Sequence, residues 1–311
     1  MILLSICIPT YNRADILNST LNSIITDVDF DFRIEIIISD NASTDHTYDI
    51  CKKFTNIYSN IHYYRNDENI IDKNFTKVLS YGSGLYLKLL NDSIILKKGT
   101  LTFFLKKILL FKEKNIPIFF YEKIHFISNK SEESCKNIND LIAKSSYFTT
   151  WIANFGIWKN DFNSLENINK FSTLKLLQVD WTFRIVNEKG SKLFFNNYYD
   201  VAKVNNKGGY NVFEVFVNNY LSICELYVNS GKLDTFVFSK EKYRLFRFFC
   251  FGLVKSTIID KNLNYNFKTE DAYKILYNNY KYKIYFYFSL IPISLLFFIT
   301  KIKKLNKRLN F

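Results

Sequence analysis

The chain has 311 residues, 48% hydrophobic and 18% aromatic, with only 9 Gly and 3 Pro. That much apolar surface excludes a disordered chain, and so little Gly and Pro excludes collagen-like or linker-dominated architectures. The net charge of +13 is uneven: residues 1–100 carry 10 basic and 12 acidic side chains, residues 240–311 carry 15 and 4. An excess loaded into one tail beside apolar stretches points to an anionic membrane surface and away from nucleic acid.

The N-terminus lacks a basic leader, and Pro9, Asn12 and Arg13 interrupt its apolar run too early for a signal peptide. Leu3 to Ile8 reads as a strand buried on both faces, and Ala14 to Ile25 has helical periodicity. Ile34 to Ile38 is a second buried strand running into Ser39-Asp40-Asn41, and Ser43-Thr44-Asp45 supplies capping residue types before a helix that reaches about Phe54. A strand at Ile61 to Arg65, a helix at Ile70 to Tyr81 and a strand at Leu85 to Leu90 complete a β-α-β-α-β-α-β series. Helical crossovers of this length predict a mostly parallel α/β sheet with helices on both faces.

Beyond it the pattern predicts a helix at Leu101 to Phe111, a strand at Ile116 to Tyr121, a surface loop at Asn129 to Asn139, and a helix at Leu174 to Glu188 with Gly190 at its end. Late strands fall at Phe194-Phe195 and Val201-Ala202, and helical spacing resumes from Tyr210. The cysteines (Cys7, Cys51, Cys135, Cys224, Cys250) are widely spaced without a CxxC pair. The three histidines (His46, His62, His125) share no ligand spacing. A disulfide scaffold, a zinc ribbon and a His-rich metal site are therefore not expected, and a reducing compartment fits.

In open parallel sheets ligands bind beyond the carboxyl ends of the strands. Polar clusters fall there: Pro9-Thr10-Tyr11-Asn12, Ser39-Asp40-Asn41 and Asn91-Asp92-Ser93. No GxGxxG, P-loop or GxSxG sequence occurs, so the crevice offers carboxylates and amides instead. An ionised Asp40 can accept hydrogen bonds from the edge of a nucleobase, with a capping role as the alternative. Asp92 can hold a divalent cation, a hard ion that selects oxygen ligands, with a turn-forming role as the alternative.

Ser5 to Arg13 (SICIPTYNR), Ile36 to Asp45 (IIISDNASTD), Asn66 to Asn69, Lys73-Asn74-Phe75, Gly84-Leu85-Tyr86 and Leu89 to Asp92 follow one another in an order that resembles the start of family 2 glycosyltransferases. The resemblance covers roughly residues 3–101, and more loosely 170–200. In style it is similar to bacterial transferases that build surface polysaccharides, the abequosyltransferase type among them. It implies a GT-A type fold and a nucleotide-sugar donor, with Pro9, Tyr11 and Arg13 beside the nucleotide and Asp40 on the base. Asn74, Asn91 and Asp92 are further donor-side residues. It also implies a divalent cation, Mg²⁺ or Mn²⁺, and inverting transfer. The family's acidic metal motif is reduced here to Asn91-Asp92-Ser93-Ile94, leaving Asp92 as its carboxylate and a weaker metal site. Val179-Asp180-Trp181 and Arg184 are similar to the family's late acidic motif, which makes Asp180 the expected general base even though its first acidic position is Val179. Trp151 and Trp158 are expected either to stack on an acceptor sugar or to belong to the core.

Ile284 to Thr300 is 17 residues without a charge, flanked by Lys281, Lys283, Lys301, Lys303, Lys304, Lys307 and Arg308. It is short for a spanning helix and carries Pro292 at its centre, which favours an anchor lying in the interface over a span. The expected organisation is a catalytic domain over 1–208 and a basic, helical, membrane-associating region over 209–311. The reading is a peripheral enzyme on the cytoplasmic face that glycosylates a lipid-linked glycan. The rivals are a nucleotidyltransferase, which lacks its acidic metal ligands here, and a degenerate homologue serving as a scaffold for an active transferase.

Overall fold

Apolar residues on both faces make central strands of β1 (Leu4–Thr10) and β2 (Ile34–Asp40), and every residue of β2 is buried. A computed structural model describes residues 1–123, 130–202, 207–256 and 265–289. His125 and the tail from Leu290 lie outside the described residues. The chain divides into two units, Met1–Val204 with Gly231–Asp234, and Asn205–Ser230 with Thr235–Phe311.

In the first unit the order continues α1 (Ala14–Ile25) before β2, then α2 (Thr47–Ile57), β3 (Ile61–Arg65), α3 (Lys73–Tyr81), β4 (Tyr86–Leu89), β5 (Ile94–Leu96), α4 (Thr100–Phe111), β6 (Ile118–Glu122), β7 (Glu132–Cys135), α5 (Ile138–Ser145), β8 (Gly156–Trp158), α6 (Lys159–Ser164), α7 (Leu177–Lys189), β9 (Ser191–Asn196) and β10 (Tyr199–Val201). The main sheet runs β3-β2-β1-β4-β8, parallel except for β8 at the edge. A second sheet, β6-β9-β7, and an antiparallel pair, β5 with β10, extend it. This is the mostly parallel α/β architecture that the alternation of elements predicts.

Buried polar groups fix the two ends of the main sheet. At the amino ends of its strands the buried Glu35 carboxylate accepts from Ser5 Oγ (2.5 Å) and the Ser83 amide (2.6 Å), and Ser5 Oγ in turn accepts from the Gly84 amide. Aromatic packing covers one face. Tyr86 meets Trp158 edge-on at 5.1 Å, Phe104 meets Phe120 at 4.2 Å, and Phe120 meets Phe194 at 5.9 Å.

Several boundaries differ from the sequence pattern for local reasons. The helix expected from Ile70 begins at Lys73, because Ile71 holds a left-handed φ of 53°. The helix expected from Leu174 begins at Leu177, because Lys175 has φ 58°. Residues 129–139, expected as a surface loop, include the strand β7 and the start of α5. Charged residues are tolerated there because β7 is an edge strand whose Glu132 and Glu133 meet Lys107, Lys192 and Lys144. Gly190 does end α7, at φ 68°.

In the second unit, Tyr210 lies in β11 (Lys207–Asn211) rather than in a helix; β11 pairs in parallel with β12 (Tyr265–Lys268). Helical structure follows from Val212 through a π-helical stretch into α8 (Tyr220–Asn229), then α9 (Thr235–Arg244), α10 (Phe251–Val254) and α11 (Ala272–Tyr280). The buried Glu241 carboxylate accepts from Tyr220 Oη at 2.9 Å and pairs with Arg244 at 3.5 Å.

Candidate active site

The carboxyl ends of the parallel strands come together as the polar clusters require. Thr10 is in register with Asp40, and Asp40 with Arg65. The Asn41 amide donates to the Thr10 carbonyl at 2.9 Å, and Thr10 Oγ1 donates to Asp92 Oδ2 at 3.0 Å. Thr20 Oγ1 holds the Asp92 carbonyl at 2.7 Å. Pro9, Asp40 and Asp92 therefore sit at one end of the sheet, with Tyr11, 43% exposed, leading away from β1. The first two loops are locked to each other: the Asn12 amide donates to Ser43 Oγ, and Asn12 Oδ1 accepts from the Thr44 amide at 2.7 Å. Asp45 ties the start of both helices, accepting from the Ala14 amide at 3.1 Å and the Thr47 amide at 3.0 Å. Arg13 stands half-buried just before α1.

Asp40 is fully buried, and both its carboxylate oxygens have partners inside the protein. Its Oδ1 accepts from the Ser43 amide at 2.9 Å, its Oδ2 from Tyr63 Oη at 2.6 Å, and Arg65 Nε lies 3.6 Å away. Burial first, and then the hydrogen bond to Asp40 and its charge, push the Tyr63 phenol above its usual range, so it remains a donor. Arg65, whose side chain is 47% exposed, is the group presented to solvent above Asp40, and it is anchored by donation to the Ser43 carbonyl at 2.8 Å.

Asn74 is likewise buried and committed. Its Oδ1 accepts from Ser39 Oγ and Asn66 Nδ2, and its Nδ2 donates to the Ser39 carbonyl. Asn41 extends this amide network to Asn69 at 2.7 Å and to the Ile70 amide at 2.9 Å. Asn74 thus ties the end of β2 to α3 and to Asn66.

At the end of β4 the half-buried Asn91 leaves its Oδ1 inaccessible to water and without a hydrogen-bond partner, beside Asp92. Ile94 is fully buried in the hydrophobic core, so it contributes no ligand. Among the described residues no cluster of three His, Cys, Asp or Glu side chains could hold a metal by itself. The Asp92 carboxylate and the Asn91 amide oxygen are hard donors, and they fit a cation that completes its shell with phosphate oxygens and water.

Asp180 lies in the first turn of α7, 4% exposed, and pairs with Arg184 Nη2 at 2.8 Å. Gln178 Nε2 fixes this turn to the Thr150 carbonyl at 2.6 Å. Trp158 is a core residue, 4% exposed, its indole N–H donated to the Ile116 carbonyl, so no ring face is open for a sugar. Trp151 is half-buried against Tyr199.

Two residues that sequence reasoning missed stand out. Lys88 on β4 is fully buried and donates to the carbonyls of Ala153 and Phe155, fastening that loop to the strand that leads to Asp92; burial pulls its ammonium well below the usual range. Asp72, just before α3, has its carboxyl raised to about 6 by burial, with Lys175 opposing the shift. It follows the left-handed Ile71, whose carbonyl and amide are both tied to the Asn41–Asn69 network. Neither residue has a sequence signature, since both environments are made by distant segments.

Residues 5–112 match the family model described as Glycosyl transferase family 2. This stretch is similar to family 2 glycosyltransferase domains. Abequosyltransferase RfbV of Salmonella typhimurium is 43% identical over 101 residues, 32% of this chain and 30% of that protein. An uncharacterized glycosyltransferase of Mycoplasma genitalium, MG060, is 30% identical over 109 residues, 33% of this chain and 36% of that protein. The matched stretches thus span about a third of the length of these curated relatives. The crystal structure of S. aureus TarS 1–349 in complex with UDP-GlcNAc superposes with a TM-score of 0.58 at 17% identity, covering 89% of this chain and 79% of that one. The fold is GT-A. Within the matched stretch, the half-buried Asp92 and the exposed Tyr11 and Arg65 frame the carboxyl end of the sheet, where such folds take ligands.

Proposed function

We propose that this protein is an inverting glycosyltransferase that moves a sugar from a nucleoside diphosphate donor to a hydroxyl of a lipid-linked glycan, in cell-surface polysaccharide synthesis at the cytoplasmic face of the membrane. The observation that carries the reading is the Thr10–Asp92 hydrogen bond, which joins two distant strand ends of the family 2 domain in one crevice. The naming of the relatives as glycosyltransferases supports it.

In this reading Pro9, Tyr11 and Arg13 flank the nucleoside, and Asp40 supports the base site through Tyr63 and Arg65. Asn91 and Asp92 stand at the diphosphate, where a Mg²⁺ or Mn²⁺ ion, when bound, would neutralise charge on the leaving group. The acceptor hydroxyl oxygen bonds to the anomeric carbon while the bond from that carbon to the diphosphate oxygen breaks, inverting the centre. The hydroxyl proton passes to Asp180, and Arg184 orients that carboxylate. Trp151 is the aromatic side chain retained for the acceptor side.

A scaffold role for a degenerate homologue is the second reading, favoured specifically by Ile94 lying in the core where a metal ligand is expected. Donor hydrolysis separates the two. The transferase reading expects slow release of nucleoside diphosphate that is stimulated by Mg²⁺ or Mn²⁺, suppressed by chelation and abolished in Asp92→Ala. No hydrolysis together with no nucleotide binding would select the scaffold, and unchanged turnover in Asp92→Ala would remove that residue from the mechanism.

A further inference from the structure

The second unit carries an aromatic and cationic surface that the transfer chemistry does not use. Helix α11 buries Ala272, Leu276 and Tyr280 on one side, four residues apart. One position further round, Tyr273 and Tyr277 are 63% and 39% exposed, with rings stacked at 6.0 Å. The stripe continues to Lys281, whose Nζ lies 5.9 Å over the Tyr277 ring and 5.1 Å over the Tyr282 ring. Phe286, itself buried, touches both Tyr273 and Tyr277 at 6.4 Å and Tyr287 at 5.3 Å, so the helical residues 284–289 join the same surface. Tyr287 Oη donates to the Lys281 carbonyl at 2.8 Å. Tyr282, Ile284 and Phe288 are among the large apolar side chains left in water.

Such a contiguous patch needs an occupant, and charge identifies it. After Asp271 the sequence contains no acidic residue, whereas Lys274, Lys281, Lys283 and five further cations follow. A second copy of the same face would bring like charges together. An anionic bilayer surface satisfies both features, because Tyr rings suit headgroup depth and each lysine gains from anionic lipid. We infer that the Tyr273–Tyr277–Lys281–Tyr282 stripe, with Ile284, Tyr287 and Phe288, is a membrane-seating surface for anionic lipid headgroups. It deepens the peripheral placement proposed above, and its test is independent of transferase activity.

The full chain, mixed with vesicles of phosphatidylcholine alone or with added phosphatidylglycerol, is expected to co-sediment with the anionic vesicles and little with the neutral ones. Lys281→Ala with Lys283→Ala should weaken that binding about fivefold per lysine. Tyr282→Ser with Ile284→Ser removes exposed side chains only, so it should fold normally and bind both vesicle types less. Binding indifferent to phosphatidylglycerol, or unchanged in both double variants, would overturn the inference. So would a self-associated chain that these variants dissociate and that binds no vesicles. Donor hydrolysis in vesicle-free buffer should be the same in wild type and variants. Vesicle binding by a chain with neither donor hydrolysis nor nucleotide binding would sink the transferase reading and leave the membrane surface standing.

Discussion

Asp180 and Asp72 are both partly or wholly buried carboxylates, but their surroundings assign them different behaviour. The Arg184 guanidinium, 2.8 Å from Asp180, orients one oxygen of that carboxylate from the next turn of the same helix. Asp180→Asn keeps the shape and removes the carboxylate proposed above as the proton acceptor. Turnover is expected to fall about 10²–10⁴-fold with donor affinity retained, measured by comparing transfer rate with donor titration. Equal loss of both would show that the substitution disturbs folding. Asp72 has its cation partner Lys175 in a weaker role, and burial raises its carboxyl to about 6. The folded state thus prefers the protonated form. Its contribution is fully present below the unfolded value near 3.8 and is lost as pH climbs through about 6. Asp72→Asn is therefore expected to raise the melting temperature by a few degrees at pH 7.5 and to flatten its pH dependence between about 4 and 6. A lowered melting temperature at pH 7.5 would show that the charged form is the one the fold favours.

At the scale of elements, β8 bears on the site because it closes the sheet beside β4. Gly156 passes so close to the Tyr86 ring that an added Cβ would meet Tyr86 Oη, Cε1 and Cζ. The Tyr86 hydroxyl is already donated to the Ile118 carbonyl, so the ring has little room to move. Gly156→Ala should cost about 1–3 kcal/mol in chemical denaturation, the usual cost of overpacking; a neutral result would mean that β8 shifts freely at the edge. The strands β1 and β2 were legible from the sequence because each is a short run apolar on both faces with polar residues at its carboxyl end, and β3 and β4 because they recur after helix-length segments. The convergence of Thr10, Asp40 and Asp92 was legible for the same reason. β7 and β8 were not legible: one is charged and the other three residues long, and both are strands only through their partners β9 and β4. The cover over Asp40 escaped for a related reason, since Tyr63 and Arg65 reach it from the neighbouring strand and no local pattern announces that contact.

At the scale of the whole molecule, residues 5–112 that match the family 2 model lie in the first unit and the basic C-terminal residues belong to the second; donor chemistry in the one and surface attachment in the other is the division proposed above. No helix of the described residues is long and apolar enough to cross a membrane. The account depends most on a single crevice at the carboxyl ends of β1, β2 and β4 taking an activated sugar nucleotide. Thermal stabilisation across a panel of nucleoside diphosphate sugars tests that directly, because a ligand held at about 100 times its Kd adds roughly 2.7 kcal/mol to the folded state. The account predicts that at least one member raises the melting temperature by several degrees in wild type, and that Asp92→Ala loses the response. A panel without any stabilising member, or a response undiminished in Asp92→Ala, would contradict it.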